Sequence, residues 1–161
     1  MIFNQELIKI FYQSFQRKDY KAMQICYDDD AIFNDEVFVN LNADEVRAMW
    51  EMFCIKGKDL QIHFSNVQAD DKNGSAEWIA FYTFSKTNRE VTNRIKANFT
   101  FANGKIVKHT DHFNFSNWAS QALGISGILL GWTPLVKNKV RKEGMKNLKE
   151  YMNNRDEMGD R

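Results

Sequence analysis

The chain has 161 residues, 43% of them hydrophobic and 14% aromatic, and a formal net charge of +1. That length suits one domain with a real core, and the balanced charge provides no global field to recruit nucleic acid or an acidic membrane. No apolar run approaches the ~20 residues of a membrane span, and the most apolar one, Gly127 to Trp132, is far too short.

Two cysteines, Cys26 and Cys54, show no metal or redox spacing and sit among apolar neighbours, as buried small hydrophobes do. The start, MIFNQELIKI, lacks the basic end and apolar run of a signal peptide. The expectation is a cytoplasmic protein with neither nucleic acid nor membrane as a partner.

In chain order, Asn4 is read as the cap of a helix from Gln5 to about Lys18, with Leu7, Ile8, Phe11, Tyr12 and Phe15 on one face. Asp19 caps a second short helix through Tyr27. A short strand, Ala31 to Asn34, and an extended piece, Val37 to Leu41, follow. Asn42 and Glu45 form an N-x-x-E variant of the capping box. Val46, Met49, Trp50 and Phe53 then mark an amphipathic helix that Gly57 closes.

Beyond Gly57 the period becomes two. Leu60, Ile62 and Phe64 alternate with polar residues, and Asn73-Gly74 reads as a hairpin turn. Further strands carry Trp78 to Phe84 and Ile95 to Phe101, and Asn103-Gly104 makes another tight turn. The last strand places Val107, His109, Asp111, Phe113 and Phe115 on its buried face. Asn117 to Leu123 reads as a short helix and Gly124 to Gly131 as an apolar connection. A long helix starts at Thr133-Pro134 and frays beyond Asn153. Helices followed by meandering strands exclude a doubly wound sheet. The expected class is α+β: a curved antiparallel sheet covered by the N-terminal helices around one apolar pocket, with a C-terminal helical extension.

His109 and Asp111 are the leading chemical candidates. Two residues apart on a strand means a spacing of ~6.5 Å on one face, and a titratable pair among apolar side chains needs a partner or a task. They form either an acid/base pair or a satisfied structural pair. Asp35 is either a base or a turn residue beside Glu36. Tyr12, Phe33, Trp50, Phe53, Trp78, Phe99, Phe113 and Trp118 are candidate ligand-contacting walls, with core filling as the alternative for each. His63 and His112 read as solvated. No metal-ligand spacing, phosphate loop, nucleophile elbow or dinucleotide fingerprint occurs.

The segments FYQSFQRKDYKAMQICYDDDAIFNDEVF, NADEVRAMWEMF and ANGKIVKHTDHFNFSNW resemble the SnoaL-like and ketosteroid-isomerase-like group of the nuclear transport factor 2 fold, over roughly residues 5 to 118. The resemblance implies a cone-shaped bent sheet with a deep apolar cavity, in a single domain whose core runs from about 4 to 118 and whose helical extension runs from about 119 to 153. It implies a homodimer through the outer sheet face. Asp35 falls on the isomerase's catalytic base. The isomerase's oxyanion donors fall on Phe11 and Ala97, which cannot donate, and Tyr12, one step on, would point elsewhere. His109 and Asp111 fall where cyclase-like members keep polar cavity residues. The implied function is binding of a small apolar metabolite, with cofactor-independent acid/base chemistry of isomerase, cyclase or hydrolase type at Asp35, His109 and Asp111. A non-catalytic ligand-binding domain and a protein-interaction module are the alternatives.

Overall fold

The structure is a computed structural model that describes residues 2–159. Helices α1 (Ile2–Gln16) and α2 (Tyr20–Ile25) precede β1 (Tyr27–Asn34) and α3 (Ala43–Lys56). Four long strands follow: β2 (Gln61–Ala69), β3 (Asn73–Phe84), β4 (Arg89–Ala102) and β5 (Lys105–His112). The chain ends with α4 (Phe115–Leu123), α5 (Ile125–Leu130) and α6 (Pro134–Gly159). The class is α+β, with one sheet ordered β1-β5-β4-β3-β2. The ladders are antiparallel except that β1 runs parallel to β5.

The capping box of α3 forms as its residues dictate, with Asn42 accepting from the Glu45 N–H and Glu45 from the Asn42 N–H. Asp19 caps α2 through the Ala22 N–H. The apolar stripe of α1 is buried from Ile8 to Phe15, and Tyr12 is as enclosed as Phe11. Tyr12 therefore points into the core rather than elsewhere, because an inward stripe spans adjacent residues of a helix facing a concave sheet.

Several local expectations are corrected. Asn4 is not a cap: it lies inside α1, and its amide donates to the Asp70 and Asp71 carbonyls, tying the helix to the β2–β3 turn. That turn is built on Asp70, whose carboxylate accepts from Lys72 and Asn73 N–H, so Gly74 belongs to β3. A Cβ at Gly74 would lie 2.8 Å from both Ile8 and Phe101, so close packing requires the glycine. Only Asn103-Gly104 is the tight turn read from sequence, with φ of 51° and 74°. The piece Val37 to Leu41 makes a single bridge, Phe33 to Leu41. Asn114 accepts from the Asn117 N–H and starts α4 early, so Phe115 sits on a helix instead of β5. The apolar connection contains α5, and α6 stays helical to Gly159.

The main core lies between the sheet and α1, α2 and α3, and a second cluster lies between α4 and the sheet. Alpha-6 docks beside them. Leu148 is fully buried, Tyr151 donates to Glu51, and Lys137 and Arg141 bond Glu36.

Candidate functional site

Beta-5 carries the centre of the site. An irregularity in its pairing with β4 sets Phe101 opposite Ile106 while Phe99 stays opposite His109. The extra residue, Val107, breaks strict alternation, so Ile106 and His109 both face inward and Val107 is only half-buried. Asp111 follows on the same face, 3% exposed against 0% for His109.

These groups end a buried hydrogen-bond chain. The Trp50 indole N–H donates to the Tyr27 hydroxyl at 2.8 Å, that hydroxyl lies 2.7 Å from His109 Nδ1, and His109 Nε2 lies 3.0 Å from Asp111 Oδ1. Donor counting sets its direction. An indole can only donate, so the Tyr27 oxygen accepts from it. The Tyr27 proton then has His109 Nδ1 as its acceptor; pointing it elsewhere would leave a buried donor unpaired. His109 thus carries its proton on Nε2 and donates it to Asp111. Burial, only partly offset by the Trp50 bond, pushes the Tyr27 hydroxyl well above its ordinary pKa, so it stays protonated.

Aromatic rings close around His109. The centroids of Phe99, Phe33 and Phe11 lie 4.3, 5.0 and 5.7 Å from its own, and Tyr27 and Trp50 stack on it at 6.1 Å. The neighbour of Asp111 on β4 is Ala97, and Ala97 is opposite Ala76 on β3. Across this row of small residues the Trp78 indole N–H makes a long contact of 3.5 Å to Asp111 Oδ1.

Phe33 pairs with His109 and Asn34 with Thr110, and Asp35 follows as the first residue past the end of β1, within range of the charge of Asp111 on β5. Its Oδ1 accepts from the Val37 and Phe38 N–H groups at 2.7 and 2.6 Å, which makes it the anchor of a turn as well as a half-buried acid. Burial raises its pKa to about 7; the charges of Asp111 and Glu36 add to the rise, and the two backbone bonds oppose it. Tyr82, whose hydroxyl accepts from the Trp118 indole at 2.7 Å, is raised by burial and by the charge of Asp35.

The candidate walls divide. Phe33, Trp50 and Phe99 surround His109, and Tyr12 stacks on Phe64 at 5.5 Å and tilts against Trp78 at 5.9 Å. The Tyr12 hydroxyl is buried and has no hydrogen-bond partner; burial first, then Asp111 and Tyr27, raise its pKa. Phe53 packs on Trp50 and Phe38 at the margin. Phe113 bridges the two clusters, and Trp118 belongs to the second one. Sequence reasoning missed Tyr27, assigning it to a helix end. The polar run Asp28 to Asp30 hides its shared parity with Ala31 and Phe33, which are also buried.

A groove of about 320 Å³ borders the Asp35 turn, lined by Glu36, Phe115, Ser116, Trp132 and Lys137 among others. Another, of about 310 Å³, lies against β2, β3 and β4. Neither is lined by Asp35, His109 or Asp111. Among the described residues, no group of three or more His, Cys, Asp or Glu is placed to hold a metal ion.

Comparison with known proteins agrees with this architecture. An epoxide hydrolase of M. tuberculosis is 15% identical, with a TM-score of 0.60, covering 84% of this chain and 96% of its own. A protein with a ketosteroid isomerase-like fold from Catenulispora acidiphila, solved with trimethylamine, is 10% identical, with a TM-score of 0.64 and coverage of 80% and 98%. A proposed polyketide cyclase from Pseudomonas putida is 18% identical, with a TM-score of 0.61 and coverage of 73% and 96%. At such identities the likeness is one of fold. No curated protein matches the chain. The SnoaL-like domain profile matches residues 8–109, well over half of the sequence, and the chain therefore belongs to the SnoaL-like domain family.

Proposed function

We propose that the protein binds a small apolar metabolite beside Asp35 and carries out acid/base chemistry on it without a cofactor. The observation that carries this reading is Asp35 at the end of β1, within range of the charge of Asp111, with Asp111 held from behind by the Trp50–Tyr27–His109 chain. Two acids in different environments suit two roles. Asp35, with a pKa of about 7, can take a proton at neutral pH and return it. Asp111, in contact with His109 through Oδ1, supplies a hydrogen-bond acceptor. His109, enclosed by rings, acts as a positioning residue in this reading, and its proton on Nε2 orients Asp111.

The ligand approaches from the groove next to Glu36, whose walls include Phe115 and Trp132. The proteins of similar fold include an epoxide hydrolase and a proposed polyketide cyclase; in our reading this chain's substrate is compact and apolar. The test is native mass spectrometry of the purified protein to find a retained metabolite, followed by turnover assays on its carbonyl or epoxide analogues with Asp35→Asn. Loss of turnover with binding kept supports the base. Unchanged turnover would remove it, and retention of a metabolite without turnover would favour the non-catalytic binding domain.

A further inference from the structure

The corner formed by α5 and the start of α6 is the most apolar exposed part of the molecule. Ile125, Ile128, Leu129, Leu130, Trp132 and Leu135 are between 51% and 78% exposed. Monomeric proteins rarely leave so many neighbouring large apolar side chains in water.

This face is turned outward by packing. A Cβ on Gly127 would sit 1.9 Å from the Ala119 carbonyl oxygen of α4, and one on Gly131 would sit 2.9 Å from the Ala119 side chain. The two glycines, one turn apart, are the only side of α5 that can touch α4 at this distance. The bulky residues between and beside them then face away from the protein.

The first half of α6 continues this surface with charge. Lys137 and Arg141 turn inward to Glu36. Lys139, Lys142, Lys146 and Lys149 are exposed, and at alternating spacings of four and three they extend the line begun by the exposed Leu135. Glu143, which pairs with Lys86, and Glu150 border the line, and the four lysines still leave a local excess of positive charge on a chain whose net charge is only +1. An apolar patch with a tryptophan, flanked by a row of lysines, fits the acyl and headgroup layers of one lipid leaflet. A second copy seated symmetrically on the patch would bring a surface of the same sign.

We propose that the α5–α6 corner docks on an anionic lipid surface, with Ile128, Leu129 and Trp132 entering the interface and Lys139, Lys142, Lys146 and Lys149 contacting the headgroups. No helix of the described residues is long and apolar enough to cross a membrane, so the contact is peripheral. The proposal runs against the expectation of no membrane partner, which rested on span length and net charge. Neither quantity registers a local patch.

The test is co-sedimentation of the full chain with vesicles of phosphatidylcholine alone or mixed with phosphatidylglycerol. Binding is expected only to the mixed vesicles, falling as salt is raised. Ile128→Asp with Leu129→Asp, and separately Lys139→Glu with Lys142→Glu, should each weaken it by roughly tenfold or more, whereas Lys21→Glu, exposed on α2, should not. Trp50, Trp78 and Trp118 are buried, so a blue shift in emission on adding vesicles would report Trp132 and should vanish in Trp132→Phe. Absence of binding to mixed vesicles overturns the proposal, and a dimer abolished by Ile128→Asp would assign the patch to a second copy instead. Equal binding to neutral vesicles, or binding unaffected by both double variants, overturns it as well.

Discussion

Asp35 is the first residue past the end of β1, and the charge of Asp111 on the neighbouring strand β5 acts on it. Seventy-odd residues separate them in sequence, and the parallel pairing of β1 with β5 brings them within range of each other. Two carboxyls so placed share a field, and the charge of Asp111 adds to the burial that lifts the Asp35 pKa to about 7.

Stability should therefore depend on pH through Asp35. Its folded pKa is raised above the unfolded carboxylate value, so the native state holds the proton more tightly. The stabilisation is complete below about pH 4 and is lost as pH rises through about 7. Denaturant melts should show Asp35→Asn removing this fall, which is on the order of a few kcal/mol. Asp35→Ala should do worse than Asn at every pH by about 1–2 kcal/mol, because the Val37 and Phe38 N–H groups lose their acceptor.

Tyr27→Phe should destabilise the protein by about 1–3 kcal/mol, because it leaves the Trp50 N–H and His109 Nδ1 unpartnered in the core. A double-mutant cycle with Trp50→Phe, read by urea unfolding, should give a coupling of about 0.5–3 kcal/mol. Additive effects would show that the two do not act as one chain. Nitrogen-15 chemical shifts should place the His109 proton on Nε2 in the wild type.

Gly127→Ala should displace α5, since the added methyl carbon would meet the Ala119 carbonyl at 1.9 Å. We expect a loss of about 1–3 kcal/mol and faster amide exchange confined to α4 and α5. Unchanged exchange would mean that the two helices are not held in close contact.

Glu36→Gln should loosen the start of α6, where Lys137 bonds the carboxylate at 2.5 Å and His112 lies 3.8 Å from it. Partly exposed pairs of this kind contribute little globally, so a change within about 1 kcal/mol is expected. Amide hydrogen exchange over residues 135–141 should rise while α3 keeps its protection.

The α3 helix was legible because its signals are local: a capping box, a 3.6-residue period and a closing glycine. The inward parity of His109 and Asp111 was legible from alternation, but the parity of Val107 was not. An added residue at a bulge leaves no mark in the sequence. Asp35 read as a turn residue from spacing and as a base from resemblance, and the structure makes it the anchor of a turn with a raised pKa. Tyr27 stayed hidden because three aspartates interrupt the alternation of its strand.

What the sequence by itself determined was the type and order of most elements and which residues face inward. Those follow from propensity, periodicity and caps within a few residues. Only the tertiary structure decided that Tyr27 meets His109, that Asp35 comes within range of the Asp111 charge, and that α5 turns its apolar face to solvent. Each of these depends on strand register or on the close approach of helices distant in the chain. A two-residue period specifies a face but not a neighbour, and a pair of glycines shows its purpose only once another backbone is against it.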